Sequence, residues 1–332
     1  MPEESKNCKY WVGFDIGGTK LLATVFDSCF KAIATKKRKT KGYLGKESGL
    51  QRLTATIADV LEEAGIPIDR VAGIGIGSPG PLDLKEGTIN EAPNLGWKDV
   101  KLKTYLEDSF RCPVVVANDV DAGVFGEYRF GAARGSRCSV GVFSGTGIGG
   151  GCVYEGNLIR GERNSCMEIG QIPILPQGPL SGSGLRGNLE SVASRLAISS
   201  AAAAAAYRGE APHLLSLKGT DLGQIRSKDL AASIEAGDET VEKIVRDAAQ
   251  WTGYAMAGVV HLLAPDVVVV GGGLVEAMPK LMKEEVTFGL NKNLMDSFKN
   301  TYEVRIATLG DAAAVMGAAA LAEEEIDTKN NV

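Results

Sequence analysis

YWVGFDIGGTKLLATVFD, residues 10–27, is the stretch on which the fold turns. Two apolar runs flank a bend of Gly17, Gly18 and Thr19, the pattern of a β-hairpin that delivers Asp15 beside its turn. The same device returns at residues 138–156, CSVGVFSGTGIGGGCVYEG, again strand, glycine-rich bend, strand. Two copies so far apart exclude a solenoid and read instead as an internal duplication, two related α/β lobes facing one another.

Length and composition agree with two lobes. A chain of 332 residues suits two domains at roughly 100–200 residues each. The expected division is 1–119 and 120–311, with a last alanine-rich helix starting at Ala312 and the segment 312–332 packing back on the first lobe. Hydrophobic residues at 44% and charged residues at 23% supply ordinary globular cores. A net charge of -5 argues against nucleic acid or an anionic membrane as partner. The basic run Lys36–Lys41 reads as a solvated strand end beside a turn at Gly42. The cysteines at 8, 29, 112, 138, 152 and 166 lack CxxC spacing, and with no leader or membrane span read, the expected compartment is the cytosol. His213 and His261 lie far from other ligand types, which disfavours zinc-hydrolase and histidine-triad chemistry.

Along the chain, periodicity predicts a helix over 49–64, a buried strand VAGIGIG (71–77) broken by SPGP, a helix over 99–110 and a strand CPVVVAND (112–119). That last strand places Asn118 and Asp119 at its C-terminal end, where open α/β sheets put their chemistry. Helices are expected over 189–207 and 238–264, followed by a strand, three glycines and a helix in DVVVVGGGLVEAMPKLM (266–282). Gly75, Gly77, Gly80 and Gly145, Gly147, Gly150 match GxGxxG by letter, but Pro81 follows one and a strand the other, so neither opens the helix a dinucleotide needs. The hairpin bends instead suit backbone nests for phosphate oxygens, one per lobe, able to clamp a polyphosphate. Asp15 suits Mg²⁺, bound directly or through water, and Thr19 and Thr146 can donate hydroxyl bonds.

With GFDIGGTK (13–20), GIGIGSPGPLD (73–83), APNLGW (92–97), ANDVDAGVFGEYRFGAARG (117–135), SGTGIGGG (144–151), MEIGQ (167–171), NLESVAS (188–194) and VVVVGGG (267–273), the chain resembles the ROK family of repressors, uncharacterised proteins and sugar kinases. The resemblance implies two actin-like (ribonuclease H-like) lobes with a duplicated βββαβα-type core and a cleft between them. It also implies ATP-dependent phosphorylation of a free hexose or hexose derivative, glucokinase-like, at the 6-hydroxyl. By the same resemblance Asp15, Gly17, Gly18, Thr19, Lys20, Gly145, Thr146 and Gly147 hold ATP phosphates and magnesium, and Gly272 and Gly273 line the adenosine site. Pro79, Gly80, Asn94, Asn118, Glu168, Gln171 and Glu190 fall at sugar-site positions, and Asp119 at the general base. A hexose hydroxyl needs such a carboxylate to orient it and take its proton. Asn118 and Asp119 also have a plainer reading, a polar cap at a strand end.

The chain departs from the family pattern at four positions together. Where members commonly carry a histidine and three cysteines on a structural zinc, it has Gln171, Ser181, Ser183 and Asn188, and no structural zinc is expected. Gln171 also takes the place of a histidine that touches sugar in similar glucokinases, so a shifted hexose preference is expected. The second reading is a non-catalytic sugar-binding or regulatory ROK protein. Only about nine residues precede the first strand, leaving no room for the helix-turn-helix of the family's repressors. An acid kinase of the same superfamily would not need Glu168 and Glu190 together. The expected partners are a hexose, ATP and further copies of the chain in a homodimer or higher homo-oligomer, with neither nucleic acid nor membrane.

Overall fold

The computed structural model describes residues 9–162 and 166–330. The described residues form two compact units, the first running to Arg134 and taking in Asn157–Cys166 and the chain from Asp311 onward, the second made of Gly135–Gly156 and Met167–Gly310. The expected border at residue 119 and the observed one at Arg134 differ by the helix Asp119–Phe130, which lies with the first unit.

In the first unit, strand Tyr10–Ile16 pairs antiparallel with Lys20–Phe26, which pairs antiparallel with Ala32–Lys39. On its other edge it runs parallel to Val71–Ser78, itself parallel to Val114–Asn118. Parallel strands are covered on both faces and so read as near-continuous apolar runs, as Val71–Ser78 and Val114–Asn118 do. The helix Lys46–Ala64 buries Leu50, Leu53, Ile57 and Val60 in the same core as Val12, Ile74 and Val114.

The helix Ala312–Asn330 reaches this sheet through residues without side chains. Gly13 and Gly75 are partners in register, and a Cβ on Gly13 would lie 1.9 Å from the Val315 carbonyl oxygen, one on Gly75 1.8 Å from that of Ala318. The helix Asp119–Phe130 meets the same C-terminal helix just as closely: a Cβ on Gly126 would lie 2.3 Å from Ala313 O, and one on Gly317 1.7 Å from Ala122 O. The alanine-rich sequence of 312–322 is therefore a backbone-to-backbone contact surface.

The second unit repeats the arrangement. Cys138–Ser144 pairs antiparallel with Ile148–Tyr154 and parallel with Val267–Gly271, which runs parallel to Glu303–Ile306. The expected helix over 189–207 is two helices, Leu189–Ala193 and Arg195–Tyr207. Ser194 interrupts it with extended backbone, and its hydroxyl caps the second helix by accepting from Ala197 N at 3.2 Å. The helix expected over 99–110 starts at Leu102. The preceding Trp97–Val100 is a strand paired with Thr88–Ala92 in a small sheet that also holds Leu82–Asp83. Among the described residues no helix is long and apolar enough to cross a membrane.

Alanine exceeds glycine in helix propensity by about 1 kcal/mol, but at Gly317 a methyl group would meet fixed backbone, and overpacking costs about 1–3 kcal/mol or more. Urea unfolding of Gly317→Ala is expected to show a net loss of stability. Gly258→Ala is the control, in the helix Glu239–Leu263 with nothing within 4 Å of its Cβ, and is expected to stabilise by about 0.5–1 kcal/mol. Equal effects at the two positions would contradict the packing account.

Candidate active site

In the first unit the hairpin bend is closed by Gly17 N donating to Lys20 O at 2.9 Å, and Thr40 Oγ1 donates to Gly17 O at 2.6 Å. A Cβ on Gly17 would lie 2.9 Å from Lys20 O, so the turn excludes a side chain there. Gly18 and Thr19 are exposed at the tip. The two parallel strands end side by side, with Ser78 and Asn118 as register partners. Pro79 and Gly80 follow the first, and a Cβ on Gly80 would sit 3.9 Å from Asn118 Nδ2.

Asn118 Oδ1 accepts from Val120 N at 2.9 Å and Asp121 N at 3.1 Å, capping the helix Asp119–Phe130. Asp119, the first helical residue, accepts at Oδ1 from Val120 N at 2.9 Å. Burial pushes the Asp119 carboxyl up from the ordinary carboxylate range, offset in part by backbone N–H groups and the Asn118 side chain. Asp15 is raised to about 7, first by burial and then by the Asp119 charge, while Lys20 pulls the other way. Lys20 pairs with Asp311, and Lys37 Nζ lies 3.6 Å from the same carboxylate. The hydrogen bond from Lys20, then its charge and that of Lys37, hold Asp311 below its usual range despite some burial. Asp311 and Lys37 escaped the sequence reading; Lys37 sits in the basic run read as solvated, and Asp311 lies beyond any motif. Asn94 lies in the turn Pro93–Leu95; its side chain is outside the described residues.

In the second unit Gly145 N donates to Gly147 O at 2.9 Å, making the bend Gly145–Thr146–Gly147. Glu190 Oε2 accepts from Ile148 N at 3.1 Å, and a Cβ on Gly147 would lie 2.3 Å from that oxygen, so Glu190 braces the bend from behind. Gly272, with φ of +90°, presses on Ser144, whose carbonyl oxygen would be 2.5 Å from an added Cβ. The strand that ends at Gly271 thus delivers Gly272 and Gly273 next to the start of the bend. Arg195, unread in the sequence because it belongs to no phosphate motif, donates from Nη2 to Thr146 Oγ1 at 2.8 Å. Glu168 is exposed just before the turn Ile169–Gln171.

Four residues distant in sequence meet at that turn. Asn188 Nδ2 donates to Gln171 Oε1 at 2.6 Å and to Ser181 Oγ at 2.9 Å. Ser183 Oγ donates to Gln171 Oε1 at 2.7 Å and lies 2.7 Å from Ser181 Oγ. Asn188 Oδ1 meanwhile accepts from Ser191 N at 3.0 Å, so its amide is used at both ends.

The ROK family model matches residues 11–325. This chain belongs to the ROK family. It is 31% identical to a glucokinase of Halalkalibacterium halodurans over 96% of both chains. Among solved structures it is similar to a ROK family glucokinase from Streptomyces griseus in complex with glucose and AMPPNP, at 32% identity and a TM-score of 0.82, covering 96% of this chain and 99% of the other. It is also similar to the ROK hexokinase of Thermus thermophilus, at 33% identity and a TM-score of 0.80, with the same coverage. The two units carry the α/β, actin-like architecture of these ROK enzymes. The four positions that the sequence pattern set apart, Gln171, Ser181, Ser183 and Asn188, are thus neighbours joined by hydrogen bonds between neutral side chains.

These bonds do locally what metal–ligand bonds would do, so chelation is expected to leave the protein's melting temperature unchanged. Stoichiometric zinc in elemental analysis of the purified protein would contradict this. The raised Asp15 pKa has a second consequence. Between pH 3.8, its ordinary value, and about 7 the folded state holds a proton that the unfolded chain has released, so this group takes stability away as pH rises through that window. Without nucleotide or metal, Asp15→Asn is expected to lose less stability than the parent between about pH 4 and 7. Parallel urea-midpoint curves for the two proteins would refute it.

Proposed function

We propose that this ROK protein transfers the terminal phosphoryl group of ATP to a hydroxyl of a free hexose or hexose derivative. Its likeness to glucokinases over nearly the whole chain supports the reaction class. The observation that carries the roles is Asp119, a carboxylate held by Val120 N at the start of a helix and pushed up in pKa by burial. A carboxyl with affinity for a proton, fixed at a strand end, has what a general base needs. In this reading Asp119 accepts the proton of the attacking hydroxyl as its oxygen bonds to the γ-phosphorus, and ADP leaves with the electrons of the broken P–O bond.

Asn118 hydrogen-bonds that carboxylate and Gly80 lies beside the Asn118 amide; with Pro79, Asn94, Glu168, Gln171 and Glu190 they make up the proposed sugar contacts. Gln171 has its acceptor oxygen engaged by Asn188 and Ser183, which leaves its NH₂ to donate to a sugar oxygen. The bends Gly17–Lys20 and Gly145–Gly147 are the proposed phosphate contacts, and Gly272 with Gly273 the proposed adenosine contacts. Asp15 fits a magnesium ligand, since the charges of Asp119 and Asp311 act on it against that of Lys20, and magnesium takes few protein carboxylates and screens phosphate charge when bound.

The test is a panel of hexoses with ATP and Mg²⁺, followed by ADP release, for the parent and Asp119→Asn. The substitution keeps shape and removes basicity, so kcat is expected to fall about 10²–10⁴-fold while calorimetric sugar affinity stays the same. Near-normal turnover in Asp119→Asn would sink the assigned role, and no turnover of any hexose by the parent would sink the reading.

A further inference from the structure

A guanidinium withdrawn from water normally brings a carboxylate with it, because an unpaired buried charge is costly. Arg195 is 9% exposed, yet among the described residues no carboxylate lies within ion-pair distance of it. Its partners are neutral: Nη2 donates to Thr146 Oγ1 at 2.8 Å and Nη1 to Ile225 O at 3.3 Å. Its backbone N donates to Gly145 O at 3.0 Å, so both ends of the residue are tied to the glycine bend. The neighbouring charge is Arg226, of the same sign, and burial and Arg226 together press against the protonated form of Arg195. Arg226 immediately precedes the helix Ser227–Glu235, whose Ser227 hydroxyl lies 3.6 Å from where a Cβ on Gly273 would stand. Bend, Arg195, Arg226 and the Gly272–Gly273 turn thus form one neighbourhood with two cations; its carboxylates are Glu190, which accepts from Ile148 N, and Asp229, which accepts from Arg226 N, and among the described residues neither is within ion-pair distance of Arg195.

A threonine hydroxyl has one proton and two lone pairs. With a lone pair of Thr146 Oγ1 taken by Arg195, its proton is left to donate outward from an exposed position on the bend. We propose that Arg195 is a phosphate-positioning residue: it orients the Thr146 hydroxyl as a donor to the nucleotide's phosphate oxygens and supplies the fixed positive charge behind the bend that those phosphates complete. The proposal rests on the kinase reading above and assigns to this site a cation that the glycine motifs do not contain.

The test compares Arg195→Met, Arg195→Lys, Thr146→Val and the double variant Thr146→Val with Arg195→Met, reading KM for ATP, calorimetric affinity for ADP and affinity for the hexose. Loss of a charge-assisted bond is expected to raise KM for ATP and weaken ADP about tenfold to a hundredfold in Arg195→Met, with hexose affinity unchanged. Arg195→Lys keeps the charge and loses the fork, so a rise of about threefold is expected. The double variant should be no worse than the more impaired single one, since both remove the same donor. If Arg195 serves only to hold Ile225, the variants lose stability in urea while the folded protein keeps its ATP parameters, and the proposal is overturned. Additive losses at 146 and 195, or equal losses for hexose and ATP, overturn it as well. Should Arg195→Met not fold, Arg195→Lys decides, an unchanged KM for ATP being the negative result. ADP affinity separates the two readings: a parent that binds ADP but phosphorylates no hexose fails the kinase reading, while the ADP loss in Arg195→Met still tests this one.

Discussion

The first unit depends on backbone meeting backbone without side chains between. Gly13 and Gly75 stand in register on neighbouring strands, and the carbonyls of Val315 and Ala318 lie where their Cβ atoms would be. Gly126 and Gly317 extend the same close approach to the helix Asp119–Phe130. That helix begins at the candidate base. The position of one carboxylate therefore rests on four missing methyl groups, because a packed interior transmits even small displacements.

Electrostatically the units are provisioned differently. The first sets Asp119, Lys20 and Asp311 near Asp15, whose pKa burial first, and then the Asp119 charge, raise to about 7. The second sets Arg195 and Arg226 near a bend made of glycine and threonine. A carboxylate surplus favours a hard cation and a proton-accepting role, whereas an uncompensated guanidinium favours an anion. Both follow from desolvation: each group is withdrawn from water and lacks enough opposite charge of its own.

The cluster of Gln171, Ser181, Ser183 and Asn188 shows how a loop keeps its course with different chemistry. Each bond in it is weaker than a metal–thiolate bond, but the four side chains satisfy one another, and Asn188 also caps the helix Leu189–Ala193. A polar group buried with partners costs little, and one buried without them costs a great deal.

Local pattern was enough for the duplicated hairpins, the buried parallel strands and the family, because alternation, glycine bends and ordered motifs are properties of neighbouring residues. It was also enough to name Asp15, Asn118, Asp119 and the glycine bends as candidates. It did not yield the small sheet around Thr88–Ala92, whose pairing is non-local, nor the break at Ser194, where a cap outweighs helical periodicity. It passed over Asp311, Lys37 and Arg195 because their significance lies in what they face: Lys20 is 291 residues before Asp311 by number, and Thr146 is 49 before Arg195. Charge and hydrogen bonding act through space, so the sequence determined which groups the protein owns, and the tertiary structure decided which of them are buried, paired or left wanting a counter-charge.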